Sequence, residues 1–263
     1  MNPPRLEKSK IRQSFSAAAT RYDGLAGLQR RVGLDLLDGF PLPDGANRLL
    51  DMGCGTGFLT SHLAAEAGVQ HLMALDIALP MLATSRQRFP EMAVDYVCAD
   101  AEQLPFAEAC IDAIYSNLAL QWIANLTGLF ADCRRVLRPG GELVFATFGP
   151  ATLWELKQAW AGIDAYAHVN EFYGSDEIGG FLQAAGFEVA RVRSGIYRLE
   201  YPSVMDLMKE LKGIGAHNVN VGRKRRPTTR SQLAGMISRY PGLAETGNIT
   251  ASYEIIFVRA RVA

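Results

Sequence analysis

From Arg48 onward, short apolar runs alternate with longer segments in which apolar residues recur every three or four positions. Short apolar runs are typical of buried strands, and the longer spacing is typical of amphipathic helices. The strands predicted in this way are Arg48–Met52, His71–Asp76, Ala93–Cys98, Ile111–Ser116 and Gly141–Phe148. The segments predicted between them are the helices Phe58–Ala67, Ala78–Phe89 and Leu118–Leu137, followed by a helix stop and turn at Arg138–Gly141. This alternation predicts an α/β fold with a doubly wound, mostly parallel sheet.

The two ends of the chain add further elements to this sheet. Helical spacing from Leu25 to Phe40 predicts that residues 1–44 form N-terminal helices. The elements predicted after Gly149 are the helices Ala151–Ala161 and Ser175–Ala185 and the strands Phe187–Tyr197 and Ser252–Val262. The two strands are rich in β-branched residues and predict an antiparallel pair. We expect one domain, 1–263, with a helical cap insertion at about 199–248, because that stretch is too long for a hairpin loop.

The composition narrows the class of protein. The chain has 263 residues, of which 49% are hydrophobic and 21% are charged, as in a soluble globular protein. Because no apolar run could span a bilayer and the N-terminus lacks the apolar core of a secretory signal, we expect a cytoplasmic protein with no membrane partner. The four cysteines form no C-x-x-C pair and the four histidines have no metal-binding spacing. We therefore expect reduced thiols and no metal.

The formal net charge is zero, but one segment is strongly basic. Between residues 212 and 244 the chain contains seven Lys or Arg and no Asp or Glu. These basic residues are Lys212, Arg223, Lys224, Arg225, Arg226, Arg230 and Arg239. A neutral chain with one basic segment argues against general nucleic-acid binding and favours the docking of one acidic partner.

The segment with the clearest chemistry is Asp51-Met52-Gly53-Cys54-Gly55-Thr56-Gly57, directly after the first predicted strand. Its three glycines let the backbone turn and bring N–H groups and a helix N-terminus against a ligand. Their spacing is G-x-G-x-G, whereas dinucleotide-binding enzymes use G-x-G-x-x-G. The segment therefore indicates a ligand site, with an ordinary strand-to-helix turn as the alternative.

Polar residues also stand where other strands end, and ligands of open parallel sheets bind at the carboxyl ends of strands. Asp76 could accept the two hydroxyls of a ribose, or cap the helix that starts near Ala78. Asp100 and the N–H of Ala101 could read the edge of an adenine, although Asp100 could also be a turn residue. Asn117 follows the fourth strand, where it could meet an amino-acid group of the ligand.

Together these motifs resemble those of class I S-adenosylmethionine-dependent methyltransferases. The similar segments, within residues 45–150, are Leu49–Gly57, Ala74–Asp76, Asp100–Phe106 and Arg135–Gly141. The resemblance implies a Rossmann-like sheet of seven strands with an antiparallel last strand, and S-adenosylmethionine as co-substrate. The residues expected to bind it are Asp51, Gly53, Cys54, Gly55, Gly57, Asp76, Asp100, Ala101 and Asn117.

The segments outside this core resemble one group within that family, the malonyl-acyl-carrier-protein O-methyltransferases of biotin synthesis. The similar segments are Lys10–Asp23, Leu118–Trp122 and Leu211–Asn220. This resemblance implies methyl transfer to the free carboxyl of a malonyl thioester on an acyl-carrier protein. The methyl ester would then prime pimeloyl synthesis, because it hides the charge of the malonyl group from fatty-acid enzymes.

The candidates for substrate or partner contact come partly from this resemblance and partly from charge. They are Tyr22, Gln121 and His217, each with an alternative structural role, and Arg223, Lys224, Arg225 and Arg226, which could instead form a solvated face. A carboxyl group has a reference pKa of about 4. It is ionised at neutral pH, so we expect no general base and assign no catalytic residue. We expect an arginine to hold the carboxylate, because its planar fork matches two oxygens.

Two other functions fit parts of the pattern. A nicotinamide oxidoreductase would also use glycines and an acidic residue after the second strand, although its preferred glycine spacing differs. A small-molecule carboxyl or quinone methyltransferase would use the same cofactor motifs without a carrier protein. Coenzyme A thioesters are an alternative to carrier-protein thioesters as the substrate.

Overall fold

The computed structural model describes residues 7–66, 68–216, 228–242 and 247–263. Its strands are β1 (Arg48–Met52), β2 (His71–Asp76), β3 (Val94–Cys98), β4 (Ile111–Asn117), β5 (Leu137–Phe148), β6 (Phe187–Tyr201) and β7 (Ile249–Val262). They form one sheet in the order β3-β2-β1-β4-β5-β7-β6. Pairing from β3 to β5 is parallel, and β7 is antiparallel to both β5 and β6. This confirms the predicted mostly parallel sheet with an antiparallel last strand.

Helices precede the sheet and connect most of its strands. They are α1 (Lys8–Ala18), α2 (Tyr22–Leu25), α3 (Gly27–Gly39), α4 (Phe58–Ala64), α5 (Leu79–Arg88), α6 (Leu126–Val136), α7 (Trp154–Ala161), α8 (Ser175–Ala184), α9 (Val204–Gly213) and α10 (Arg230–Ser238). A single 3₁₀ turn, Leu120–Trp122, lies between β4 and α6.

Two hydrophobic cores cover the two faces of the sheet. Leu49 belongs to a core that includes Val32 of α3 and Leu63 of α4, whereas the next residue, Leu50, belongs to a core that includes Phe130 of α6. All five side chains are fully buried. Because successive side chains of a strand point to opposite faces, the apolar run in β1 serves both cores. Full burial of each such side chain contributes about 1.5–3 kcal/mol.

The segment after β4 differs from the long helix predicted over Leu118–Leu137. Leu118 has a φ of 50°, which is outside the range of a right-handed α-helix. Only one 3₁₀ turn lies between it and the start of α6. The helix proper starts after Asn125, whose side chain accepts a hydrogen bond from the Gly128 N–H at 3.0 Å. This cap places the start of α6 beyond the strand end, which leaves the backbone between them free to line a cavity.

The turn predicted at Arg138–Gly141 is instead part of β5. Leu137 pairs with Ile111 and Glu142 pairs with Ala113, so the intervening residues form a bulge. The insertion also begins slightly later than predicted, because β6 extends to Tyr201 before α9 and α10. The strand order reverses between β1 and β4, and the carboxyl ends of β1, β2 and β4 lie side by side there.

Candidate active site

The glycine turn after β1 has a backbone shape that requires glycine at two positions. Gly53 and Gly57 have φ angles of 77° and 84°. A Cβ on Gly53 would lie 2.4 Å from Cβ of Ala119, and one on Gly57 would lie 2.0 Å from Oγ of Ser85. The Gly53 N–H donates to the carbonyl of Leu75 at 2.8 Å, which ties the turn to the end of β2.

Asp76, at the end of β2, is held by the same turn. Its carboxylate accepts the N–H of Gly55 at 3.0 Å and the N–H of Ala78 at 2.8 Å, one on each oxygen. Burial raises the pKa of Asp76, and the backbone hydrogen bonds oppose that rise. Each oxygen of a carboxylate can accept about two hydrogen bonds. Both oxygens can therefore also accept hydroxyl donors from a ligand while their orientation stays fixed.

Asp100, after β3, forms a cluster with residues of α1 and of its own loop. Lys8 contacts the carboxylates of Asp100 at 2.6 Å and Glu102 at 2.9 Å. The Glu102 N–H donates to the other oxygen of Asp100 at 3.0 Å. Lys8 was not among the predicted site residues, because its contact with Asp100 joins residues 92 positions apart.

These groups surround a cavity, called here the first cavity, whose volume is about 830 Å³ when the space at its open mouth is counted. The predicted cofactor residues that line it are Gly53, Gly55, Asp76, Asp100, Ala101 and Asn117. Side chains of α1 form the wall opposite the strand ends. The structure therefore brings six of the nine predicted residues to one cavity.

Asp51 and Cys54 lie beside a smaller adjoining cavity of about 440 Å³, which shares Gly53, Gly55 and Asn117 with the first cavity. Among the predicted residues Gly57 borders neither space. Close packing of Gly57 against Ser85 and its positive φ account for a glycine at this position without a contact to a ligand.

Asp51 is 1% exposed and accepts a hydrogen bond from the Thr60 hydroxyl at 2.5 Å. Burial raises the pKa of Asp51 to about 7; the Thr60 hydrogen bond opposes this, and the charge of Asp76 adds to it. Burial also raises the pKa of the Cys54 thiol. At neutral pH the thiol is therefore neutral and a weak nucleophile.

Asn117 ends β4 between the first cavity and α3. Its Nδ2 group donates to the carbonyl of Gln29 at 2.8 Å. Its Oδ1 atom is buried without a hydrogen-bond partner. Most buried polar side-chain atoms in proteins are paired. An ammonium or hydroxyl donor of a ligand would satisfy this acceptor.

A second cavity, of about 820 Å³, adjoins the first. The two share Phe15, Tyr22, Leu118 and Trp122, which form a partition between them. Phe15 and Trp122 pack edge to face, with ring centroids 5.4 Å apart. Burial raises the pKa of Tyr22, and the charges of Asp76 and another carboxylate add to that rise. The Tyr22 hydroxyl is therefore a neutral donor at physiological pH.

The far wall of the second cavity contains polar groups that the sequence analysis missed. His168 is hydrogen bonded through Nε2 to Asp164 at 2.7 Å and stacks on Trp160 at 3.7 Å between centroids. Asn170 and Glu210 line the same cavity. The sequence feature that could have indicated these polar groups is the spacing of Asp164 and His168, which stand four residues apart after an apolar helix. The sequence gives no indication that their segment faces residues of α1.

The predicted substrate residues have two different outcomes. Tyr22 and Gln121 both line the second cavity. The Gln121 amide donates to the carbonyl of Leu118, and its oxygen accepts from Thr147 at 3.5 Å. Those that lie outside the described residues are His217, Arg223, Lys224, Arg225 and Arg226. Among the described residues that line the second cavity, none is Lys or Arg.

Two broader features concern the residues that the structure describes. No group of three or more His, Cys, Asp or Glu among them could hold a metal ion. None of their helices combines the length and hydrophobicity needed to cross a membrane.

Comparison with known proteins agrees with this geometry. A family model described as "Methyltransferase domain" matches residues 50–145. The malonyl-[acyl-carrier protein] O-methyltransferase of Methylococcus capsulatus is 43% identical over 255 residues, which cover 95% of this chain and 92% of that protein. The enzyme of the same name from Hahella chejuensis is 37% identical, covering 95% of this chain and 89% of that protein. The chain belongs to the malonyl-acyl-carrier-protein O-methyltransferase family.

Some relatives of this family are longer. The biotin biosynthesis bifunctional protein BioHC of Cellvibrio japonicus is 42% identical over 96% of this chain, but the chain spans only 50% of its length. Solved structures support the fold. The YcgJ protein of Bacillus subtilis has a TM-score of 0.62 at 15% identity, covering 88% of this chain and 97% of that chain. An S-adenosylmethionine-dependent methyltransferase of Mesorhizobium loti has a TM-score of 0.53 at 20% identity, covering 90% of this chain and 99% of that chain.

Proposed function

We propose that this protein transfers a methyl group from S-adenosylmethionine to the free carboxyl of a malonyl thioester carried by an acyl-carrier protein. The product is the malonyl methyl ester that primes pimeloyl synthesis. The observation that carries the proposal is the pair of cavities that meet at Phe15, Tyr22, Leu118 and Trp122. One cavity contains the cofactor motifs, and the other is largely apolar with a few polar groups. The names and coverage of the relatives support the substrate.

The residues of the first cavity match the chemistry of the cofactor. Asp76 would accept the ribose hydroxyls, and Asp100 with the N–H of Ala101 would bind the adenine edge. The unpaired Oδ1 of Asn117 and the buried carboxyl of Asp51 would face the methionyl end, where a cationic amino group satisfies both. When bound, the cofactor supplies a methyl group on a positively charged sulfur.

The reaction needs no proton transfer. A carboxylate oxygen of the malonyl group forms a bond to the methyl carbon, and the carbon–sulfur bond breaks with its electron pair retained by sulfur. The carboxyl is already ionised, with a reference pKa of about 4. The protein therefore acts by placement, and well-oriented approach can contribute roughly 7–11 kcal/mol.

The partition residues would perform that placement. The Tyr22 hydroxyl would donate a hydrogen bond to one carboxylate oxygen and leave the other oxygen free to attack. The aromatic rings of Phe15 and Trp122 exclude water, so the carboxylate and the sulfonium are drawn together in a medium of low dielectric. The prediction that an arginine holds the carboxylate stays a prediction, because Arg223–Arg226 lie outside the described residues.

The proposed function is tested by comparing three acceptors with purified protein: malonyl carrier protein, malonyl-CoA and free malonate. We expect kcat/KM to be highest for the carrier protein and very low for malonate, because malonate lacks the thioester arm. Methyl ester formation is measured by mass spectrometry of the intact acceptor. Equal rates with malonate, or transfer to a quinone in place of any malonyl thioester, would contradict the proposal.

The basic segment is proposed to dock the acidic carrier protein. Exchange of Arg223 and Arg225 for Glu should raise KM for the carrier protein severalfold at low salt, because charges at the edge of an interface mainly control association. Exchange of the exposed Arg86 and Arg198 for Glu is the control with the same change in net charge. Turnover of malonyl-CoA should fall much less than that of the carrier protein, unless Arg223 or Arg225 also holds the malonyl carboxylate. If both double variants behave alike with the carrier protein, the segment has no special docking role.

A further inference from the structure

Asn170 is the polar residue of the second cavity whose side chain is least satisfied by the protein. It is 9% exposed and lines the cavity. Its Oδ1 atom is buried and accepts no hydrogen bond. By contrast, the amide of Gln121 in the same cavity is bonded at both its nitrogen and its oxygen. Asn170 thus has an acceptor that remains to be paired.

Leaving such an acceptor unpaired is unfavourable. A buried donor or acceptor without a partner loses the hydrogen bonds that it would make in water, and most buried polar groups are paired. A site built to hydrogen-bond a substrate group has its own buried polar atom left unpaired when that group is missing. The ligand group facing Asn170 Oδ1 must therefore be a hydrogen-bond donor.

This requirement distinguishes among the parts of the proposed substrate. The malonyl carboxylate and the thioester carbonyl have only acceptor atoms, so neither can satisfy Oδ1. The pantetheine arm that follows the sulfur, in both carrier-protein and coenzyme A thioesters, contains amide N–H groups. The first of them is two methylene groups from the sulfur.

The surroundings of Asn170 suit an extended arm of this kind. Phe148 and Phe172 pack at 5.4 Å between centroids, and Val169 lines the same cavity. These apolar side chains can cover methylene groups. His168, two residues before Asn170, is fixed by stacking on Trp160, which restricts how far Asn170 can move.

We propose that Asn170 is a positioning residue that accepts a hydrogen bond from the first amide N–H of the pantetheine arm. The inference rests on the proposed function and deepens it, since it assigns the group of the thioester that the second cavity recognises. Binding of that amide would fix the distance from the arm to the partition and so present the carboxylate to the methyl group. It would also favour a thioester over free malonate, because malonate lacks the arm.

The test uses two small malonyl thioesters that differ in one group. One is the malonyl thioester of N-acetylcysteamine, which has the first amide of the arm. The other is its ketone analogue, in which a methylene replaces that N–H. For the unmodified protein we expect kcat/KM to be about tenfold or more higher with the amide, because the ketone leaves Oδ1 unpaired. In Asn170→Leu this preference should fall to less than about threefold, with S-adenosylhomocysteine affinity unchanged.

Asn170→Ala repeats the measurement with a smaller side chain in case leucine disturbs folding, and Gln183→Leu is the control for loss of an exposed amide of α8 that lines neither cavity. Gln183→Leu should keep the preference for the amide thioester. The inference is overturned if the unmodified protein shows no preference, or if both Asn170 variants retain it. A different result, no transfer to any malonyl thioester, would instead overturn the proposed function.

Discussion

The first and second cavities have nearly the same volume but arrange their polar groups in different ways. In the first cavity, Asp76 and Asp100 are held by backbone N–H groups and by Lys8 before any ligand is considered. In the second cavity, Asn170 has an unpaired acceptor, and Tyr22, at the partition with the first cavity, is a partly buried neutral donor. The carboxylates of the first cavity are therefore fixed in advance by the protein, whereas each cavity also keeps one buried amide oxygen without a partner, that of Asn117 in the first and that of Asn170 in the second.

This difference follows from where each cavity comes from in the chain. Most polar groups of the first cavity lie in loops at the ends of adjacent parallel strands, where backbone N–H groups are plentiful. The second cavity is assembled from α1, the segment after α7 and the insertion helix α9. It follows that changes in the first cavity should alter cofactor affinity, and changes in the second should alter use of the thioester.

The largest expected effect concerns Asp51, which is buried beside the glycine turn. Its folded-state pKa of about 7 lies above the ordinary 3.8. Between about pH 4 and pH 7 the unfolded chain releases this proton while the folded chain keeps it, so stability falls as pH rises. The pKa difference corresponds to roughly 4 kcal/mol at about 1.4 kcal/mol per unit. Asp51→Asn should remove that loss and be more stable than the unmodified protein at pH 8.

Urea unfolding of the ligand-free protein at pH 5 and pH 8 measures this effect. Asp112→Asn provides a control of opposite sign. Burial alone would raise the pKa of Asp112, but the N–H groups of Asn47 and Arg48 and the charge of Arg138 outweigh it and lower the pKa. Asp112 therefore stabilises the fold above its unfolded-state pKa, and Asp112→Asn should destabilise the protein at pH 8. Parallel pH dependence in Asp51→Asn and the unmodified protein would show that Asp51 is not neutral in the fold.

The next effect concerns Asp76, whose carboxylate is proposed to accept the ribose hydroxyls. Asp76→Ala should weaken binding of S-adenosylmethionine by about ten- to a hundredfold, because a hydrogen bond to a charged group contributes about 1.5–3 kcal/mol. Calorimetry with the cofactor measures the change. Asp95→Ala is the matched control, since Asp95 is an exposed residue of neighbouring β3. Near-normal affinity in a folded Asp76→Ala protein would remove Asp76 from the cofactor site.

The same contrast explains what could be predicted from sequence. Gly53, Asp76 and Asp100 stand directly after apolar strands, so local pattern and strand order suffice to place them together. His168 and Asn170 follow a helix and come to line one cavity with Phe15 of α1 only through tertiary packing, which no periodicity of the sequence indicates. The helix predicted from Leu118 was wrong because its apolar spacing is helical, whereas the positive φ of Leu118 and the cap at Asn125 depend on the strand end.

A smaller effect is expected at the partition, where the two cavities meet. Tyr22→Phe removes the proposed donor to the substrate carboxylate and should lower kcat by about tenfold, near the low end of the about 1.5–3 kcal/mol that a hydrogen bond to a charged group contributes, because Tyr22 is only partly buried. Cofactor affinity should change little. Because burial raises the pKa of Tyr22, its hydroxyl stays protonated and kcat should not fall through loss of its proton up to pH 10. A tenfold loss of cofactor affinity with unchanged kcat would place Tyr22 in the first cavity alone.

The smallest effect is expected at Cys54, although it lies within the glycine turn itself. The thiol is 7% exposed, and burial raises its pKa, so it is neutral at physiological pH. Direct transfer from sulfonium to carboxylate uses no enzyme nucleophile, so Cys54→Ala should change kcat and cofactor affinity by less than about threefold, consistent with loss of one small buried side chain. Cys98→Ala is the control at an exposed thiol, and Cys98 should react with iodoacetamide much faster than Cys54. Loss of methyl transfer in Cys54→Ala with intact cofactor binding would require a covalent step, and the carboxylate could then no longer be taken as the group that attacks the cofactor.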